Sequence, residues 1–302
     1  MPTRRTVLKG LAGMAGGLFS LSGYALAYEP IYRCVVTRYA MQPARWPAGL
    51  HLRAVVVADV HAGNPSMSLS RVEGLVDLAN GLGGDVILLL GDYSVSHPFH
   101  TGKIPLSDIA KALAALKAPL GAHAVLGNHD WWEDHDAQRL GRGPIRTRHA
   151  LEAASIPVYE NDVVRLAKGD RQVWLAGLGD QWAFRGPISP DLGGVDDLPA
   201  TLAKITDDAP VILLAHEPDI FPSVPDRVAL TISGHTHGGQ VNLFGWTPIV
   251  PSKYGSRYVY GHIIEDRRNL IVSGGLGCSV IPVRFGRPPE VVVIDIGPTG
   301  LA

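Results

Sequence analysis

The chain has 302 residues, 46% of them hydrophobic, with a formal net charge of −1. That length and apolar content can bury a sizeable core and favour one large α/β domain over two small ones, while a charge balance with no basic run beyond the extreme N-terminus excludes electrostatic capture of nucleic acid. The two cysteines, Cys34 and Cys278, lie outside any C-x-x-C spacing, which excludes a disulfide-built scaffold; they read as unpaired thiols.

Residues 1–27 read as an export signal. Arg4-Arg5 stands in a twin-arginine n-region that ends at Lys9, residues 10–27 carry no charge, and Ala25-Leu26-Ala27 offers a small-x-small cleavage site. Cleavage leaves a mildly acidic mature chain, and the partner it implies is the twin-arginine export machinery, which carries folded cargo. The alternative is an uncleaved anchor, because the uncharged stretch 10–28 reaches the spanning length of roughly 18 residues. The expected location is periplasmic or extracytoplasmic, with peripheral membrane contact left open.

Residues 28–50 form a lead-in containing proline and aromatic residues. Residues 52–58 are a near-continuous apolar run of strand length that ends at Asp59-Val60-His61, and helical spacing predicts a helix over 69–82. A second buried strand, 86–90, ends at Gly91-Asp92. A helix over 109–116 leads to a third strand, 122–126, which ends at Gly127-Asn128-His129-Asp130. Residues 163–166 and 173–178 read as a hairpin around Lys168-Gly169-Asp170. Residues 178–199, rich in Gly, Pro and Asp, read as a long excursion bordering a cleft. Residues 211–215 form a strand ending at His216, and 228–232 one that runs to Gly234-His235-Thr236-His237. Strands over 270–273 and 291–296 close the core. Alternating strands and helices predict an α/β fold with residues 28–302 as a single domain, its core about 52–296.

The potential ligands each stand where an apolar run ends, so distant segments would deliver them to one rim of a sheet. At alternate positions of an extended segment, Asp59 and His61 point to one face, as do His235 and His237. Alone, either pair is more often a turn, and Asp92 a strand-end cap. Taken in order, each at a strand end, they are hard to account for by packing. Carboxylates, imidazoles and an amide with no thiolate make a ligand mix that manganese, iron or zinc accepts. Two such ions, about 3.5 to 4 Å apart, supply what phosphate-ester hydrolysis needs at neutral pH: a nucleophile and charge neutralisation.

With these motifs the sequence resembles the calcineurin-like metallophosphoesterases. Gly238-Gly239-Gln240, Gly274-Gly275-Leu276-Gly277 and Pro282-Val283-Arg284-Phe285 are similar to the bacterial branch of exported or membrane-associated phosphodiesterases of the YkuE and YaeI type. The resemblance implies a four-layer α-β-β-α sandwich with two central mixed sheets and two divalent metal ions. It implies one metal held by Asp59, His61, Asp92 and His237, and another by Asp92, Asn128, His216 and His235, with Asp92 bridging. It further implies attack by a metal-bridging hydroxide, Asn128 stabilising the transition state, His129 protonating the leaving group and Asp130 orienting His129. A phosphodiester leads as substrate, with a phospholipid or nucleotide-linked lipid as candidates. Phosphomonoester or pyrophosphate hydrolysis and a non-catalytic metal-binding scaffold are the alternatives. Arg284, Arg257 and Lys253 are candidates to meet phosphate charge. Trp131, Trp132, Trp182 and Phe184 are candidates for an apolar lip, and His97 and His100 for the cleft lining.

Overall fold

Apolar strands covered on both faces set the layering. The computed structural model describes residues 3–185 and 193–298. Helix α1 (Arg4–Gly23) continues through a π-helical segment, Tyr24–Tyr32, into strand β1 (Val35–Met41). Next come β2 (Leu52–Val57), a two-residue β3 (Gly63–Asn64), α2 (Leu69–Gly81), β4 (Val86–Leu89), a two-residue β5 (Gly102–Lys103), α3 (Leu106–Leu113) and β6 (Ala122–Ala124). Short helices α4 (Asn128–Trp132), α5 (His135–Leu140) and α6 (Arg146–Ala153) precede the hairpin of β7 (Asp162–Lys168) and β8 (Arg171–Gly177). The chain ends with α7 (Leu198–Ala203), β9 (Val211–Leu214), β10 (Leu230–Ser233), β11 (Gly261–Glu265), β12 (Arg268–Val272) and β13 (Glu290–Ile296).

Two mixed sheets result, ordered β1-β13-β2-β4-β6 and β11-β12-β10-β9-β8-β7. Successive residues of β2 bury on opposite faces. Val55 and Val57 pack with Val72, Leu75 and Val76 of α2 and Ile109 and Leu113 of α3. Leu52, Ala54 and Val56 pack between the sheets against Ile212, Leu214, Ile232 and Ile271. A strand with helices on one face and a second sheet on the other needs apolar residues throughout, which is why residues 52–58 show no polar alternation. Helix α2 starts where the Ser68 side chain accepts from Arg71 N–H, and it buries Val72, Leu75, Val76 and Ala79 at helical spacing.

The architecture is the expected four-layer sandwich, with a thin outer layer on the second sheet. There the six residues of α7 and two 3-10 segments, Pro218–Ser223 and Gly255–Tyr258, cover Trp174, Leu213 and Leu270 with Leu198, Phe221 and Tyr258. The lead-in 28–50 contains β1, which pairs in parallel with β13 along its whole length. Helices α5 and α6 and strand β11 also lie outside the sequence reading. Of the predicted excursion 178–199, residues 186–192 lie outside the described residues, as do Met1 and Pro2 of the predicted leader.

The parallel strands β2, β4 and β6 end at one edge of the first sheet, and β9 and β10 at the facing edge of the second. Bonds between the loops lock these ends together. Asp59 N–H donates to Gly91 O at 3.2 Å, Gly234 N–H to His216 O at 3.0 Å and His235 N–H across the sheets to Asp59 Oδ1 at 2.9 Å. Cys34 and Cys278 are both free thiols.

Candidate metal centre

The strand ends bring one ligand atom each of Asp59, His61, Asp92 and His237 within 4.8 Å of one another. A second buried group, His216, Glu217 and His235, satisfies the same limit. Asn128 joins it: its Oδ1 is 3.2 Å from His216 Nε2 and 2.9 Å from His235 Nδ1. The two groups meet at Asp92, whose Oδ2 is 3.4 Å from His61 Nε2 and 3.3 Å from His216 Nε2. One carboxylate oxygen therefore faces both.

This donor set fits a pair of cations. His61 Nε2 and His237 Nε2 approach to 3.1 Å. Two ligand atoms bound to one ion at about 2.0–2.2 Å end up roughly 3–3.5 Å apart. Asp59 Oδ2 is buried without any hydrogen-bond partner, a costly state for an oxygen that nothing neutralises. Bonds to the far ring nitrogens turn the imidazoles inward. His216 Nδ1–H donates to Leu90 O at 2.5 Å, and His61 Nδ1 faces Ser94 O at 3.3 Å, leaving both Nε2 lone pairs aimed into the site.

The backbone delivers these ligands differently from the alternation expected of an extended segment. Asp59, His61, Asp92, His235 and His237 all have left-handed φ, between 44° and 67°. These five ligands sit in tight left-handed turns, so their convergence comes from turn geometry instead of strand pleat, whereas Asn128 is delivered by the start of α4. Such backbone costs of order 1–3 kcal/mol per residue and persists where the surroundings over-determine it. Glycines make the space. A Cβ on Gly275, itself at φ +67°, would sit 2.7 Å from Asp59 Oδ2, and one on Gly127 would sit 2.4 Å from Asp92 Oδ1.

Charge is distributed unevenly across the site. Burial pushes Asp59 up to about 6 against the pull of His216. Burial acts on Asp92 in the same direction, yet His216 and His129 hold it well below the ordinary carboxylate range. His216 is correspondingly held up, despite burial, chiefly by Asp92. Burial pushes His129 down to about 4 and His235 to about 3, and together with His61 and Arg284 it holds His237 well below its ordinary value. His129, His235 and His237 are thereby kept neutral beside an ionised Asp92, as a cation requires, while His216 carries a proton that a cation at this carboxylate would displace.

His129 is half-buried at the start of α4, and its backbone N–H donates to Asp92 Oδ1 at 2.9 Å. The expected contact with Asp130 is absent. Asp130 instead accepts from Gly127 and Asp92 N–H at 2.9 Å each and from Tyr93 N–H at 3.1 Å, joining the loop of Asp92 to the loop of Asn128. Ser279 Oγ stands 3.0 Å from His129 Nε2 in Asp130's stead. No motif marked Ser279, because a lone serine in an uncharged run carries no signal.

The other candidates divide. Arg284 is fully buried and donates to Gly277 O, Gly274 O and Arg287 O, with Nη2 at 3.2 Å from His237 Nδ1. It braces a ligand and is not free to meet substrate. Arg257 pairs with Glu265 at 2.8 Å, and Lys253 lies over the Tyr254 ring. Trp132 and Trp182 line a cleft of about 310 Å³ above the metal ligands, while Trp131 and Phe184 pack against each other in the core. His97 is buried and does not line that cleft. Trp182 meets the His235 ring edge-on at 4.7 Å. Its loop is held by buried acids that the sequence reading passed over: Asp180 Oδ1 accepts from Trp182 N–H at 2.9 Å, and Glu217 Oε2 from Gln181 N–H at 3.0 Å.

Comparison with known proteins shows the family. The model for the calcineurin-like phosphoesterase family matches residues 52–239. The metallophosphoesterase YkuE of Bacillus subtilis is 30% identical over 98% of this chain and 98% of its own. Phosphodiesterase YaeI of Escherichia coli is 30% identical over 81% of this chain and 82% of its own. A transmembrane protein with metallophosphoesterase domain from Danio rerio is 28% identical over 80% of this chain, which spans 52% of that relative's length.

Proposed function

Because the chain belongs to the calcineurin-like phosphoesterase family, we propose that it is a binuclear phosphodiesterase with Asp59, His61, Asp92 and His237 as one ligand set and Asp92, Asn128, His216 and His235 as the other. The observation that carries this reading is Asp92 Oδ2, at hydrogen-bond range from an imidazole of each set. When bound, two divalent ions, manganese, iron or zinc, supply the nucleophile and neutralise the phosphoryl oxygens.

The chain's own groups do the rest. Asp92, held ionised, fixes the spacing of the two sets. The Asn128 amide oxygen lies between His216 and His235, where it would complete the second ligand set and help stabilise the transition state. His129 Nε2 opens into the cleft beside Ser279, positioned to protonate the leaving oxygen. An anionic phosphate next to the ring favours its protonated form, as Asp92 already does from the other side.

The cleft favours a diester over a monoester. Among the described residues its lining holds no lysine or arginine, so the second negative charge of a monoester would have no cationic side chain to meet. Its apolar walls suit a bulky ester substituent, which keeps a phospholipid or nucleotide-linked lipid as the candidate substrate. The proposal includes export by the twin-arginine route, with residues 1–27 as the export signal, retained as an anchor where it is not cleaved, and 28–302 as the catalytic domain. The apolar helix α1 supports it, being long enough to serve as signal or anchor.

The test is hydrolysis of bis-p-nitrophenyl phosphate against p-nitrophenyl phosphate by protein stripped of metal and resupplied with manganese, zinc or iron. Metal-restored diester turnover that Asp92→Asn loses is the expected result, with His129→Ala slowing diesters of alkoxide leaving groups far more than this p-nitrophenyl diester. A preference for the monoester, or turnover indifferent to metal, refutes the reading.

A further inference from the structure

We infer that the uncharged surface around the mouth of the cleft docks onto a lipid bilayer. Residues 241–252 and 279–283 contain no charged side chain. They nevertheless lie at the surface: Phe244 is fully exposed, and Ile249, Val280 and Trp246 are 74%, 71% and 62% exposed. Single exposed apolar residues are ordinary, whereas a contiguous cluster marks a contact surface. The two segments form one unit. Asn242 N–H donates to Phe285 O at 2.7 Å, Phe285 N–H to Gln240 O at 2.9 Å and Gln240 Nε2 to Ile281 O at 3.1 Å.

The N-terminal helix identifies the occupant. Helix α1 has 20 residues, about 30 Å at 1.5 Å per residue, with its charged residues, Arg4, Arg5 and Lys9, confined to the end away from the root, and the uncharged stretch 10–28 that runs on past it reaches the length a bilayer's hydrocarbon needs. Its apolar window has no buried share. Its root is fastened to the unit that carries the rim. Arg284 N–H donates to Ala25 O at 3.0 Å, the Tyr24 ring meets Phe285 edge-on at 5.9 Å, and the buried Glu29 carboxylate accepts from Gly286 and Arg287 N–H. A helix lodged in a bilayer at this root brings Phe244 and Trp246 to the same bilayer, whereas a second copy or a soluble partner on the rim would leave the helix uncovered. Ile249, Val280 and Ile281 belong to the rim and also line the cleft. A phosphodiester in a lipid headgroup would thus reach the site while its chains stay in the membrane. That consequence for the substrate rests on the proposed reaction; the docking does not.

The test reads Trp246 in the full chain reconstituted into vesicles of phosphatidylethanolamine and phosphatidylglycerol with brominated acyl chains. No tryptophan lies in residues 1–32, so an anchored helix contributes no signal of its own. Trp246 emission, taken as the difference between the wild type and Trp246→Phe, is expected to fall about twofold, since interfacial segments settle roughly 5–10 Å into the headgroup and acyl boundary. The Leu243→Asp/Phe244→Asp variant, with its fold checked by thermal melting, is expected to abolish that quenching. Unquenched Trp246 in vesicle-bound wild type overturns the proposal, as does quenching that the double variant leaves intact. Shielding of Trp246 without lipid that grows with protein concentration assigns the rim to a second copy and overturns it too. The readout needs no turnover, so failure of the phosphodiesterase reading leaves it interpretable.

Discussion

Replacing Asp130 separates a structural tie from a catalytic partner. In the metal-free fold its carboxyl is pushed up to about 7, first by burial and then by Asp92, and the N–H groups of Gly127, Tyr93 and Asp92 oppose the shift. Asp130→Ala leaves those three buried donors without an acceptor. Each such loss costs about 1–3 kcal/mol, so the variant is expected to lose about 3–6 kcal/mol after partial relaxation. That is a large share of the roughly 5–15 kcal/mol that holds a typical domain folded. Asp130→Asn keeps one oxygen but turns an NH2 toward a donor, for an expected loss of about 1–3 kcal/mol. Because the tie aligns Asp92 with Asn128, Asp130→Asn is also expected to weaken metal binding about tenfold. Urea unfolding of the metal-free variants at pH 7.5, as a midpoint shift at unchanged slope, measures the first effect, and manganese titration by calorimetry the second. An Asp130→Ala protein within about 1 kcal/mol of wild type and with unchanged metal affinity would refute the tie. If its kcat fell steeply as well, the orienting role toward His129 would be restored.

Gly275→Ala forces a side chain into a left-handed turn at φ +67° and 2.7 Å from Asp59, and it should lower metal affinity at least about tenfold with the fold retained; unchanged calorimetric affinity would contradict the packing argument. Ser279→Ala removes the contact to His129 Nε2. It should slow diesters with alkoxide leaving groups several-fold while sparing p-nitrophenyl esters, whose leaving group needs little protonation; equal effects on both would deny the residue a place in proton transfer. Asp59, held up to about 6 against an ordinary 3.8, favours the metal-free fold in its protonated form, a contribution complete below about pH 4 and lost as pH rises through about 6. Metal requires the Asp59 carboxylate and also displaces the proton that Asp92 holds on His216, so affinity should rise with pH throughout, more steeply below 6 than above it; titrations at pH 5, 6, 7 and 8 that show no change of slope near 6 would exclude Asp59 as a controlling group.

Strands β2, β4, β9 and β10 were legible because burial on both faces writes a largely apolar run, unbroken in β4 and β9, ending at a polar block. Strand β1 was not. Its VVTRYAM is only partly buried, and its partner β13 lies more than 250 residues away, beyond any local pattern. Strand β11, at the other sheet's edge, fails for the same reason. The residues of the centre were legible as an ordered set, yet their delivery was not, because D-x-H says nothing about the sign of φ. Neighbourhood in sequence also misled. Asp130 follows His129, but at the third position of α4 its side chain folds back to Gly127 N–H, away from the ring. Arg284 reads in the sequence as a candidate to meet phosphate charge, and only the fold shows the ring of carbonyls that lets a guanidinium be fully buried.

The left-handed turns at Asp59, His61, Asp92, His235 and His237 also shape how this centre can change over evolutionary time. Outside glycine, the residues that occupy such backbone most readily are asparagine, aspartate and histidine, which are themselves hard or borderline metal ligands. Exchanges within that trio can alter the charge and softness of the donor set, and hence which ion is preferred, while the turns stay as they are. Glutamate, cysteine or methionine at the same positions would require rebuilding a loop. Drift among oxygen- and nitrogen-seeking metals is therefore open to this scaffold one substitution at a time, whereas conversion to a thiolate centre is not.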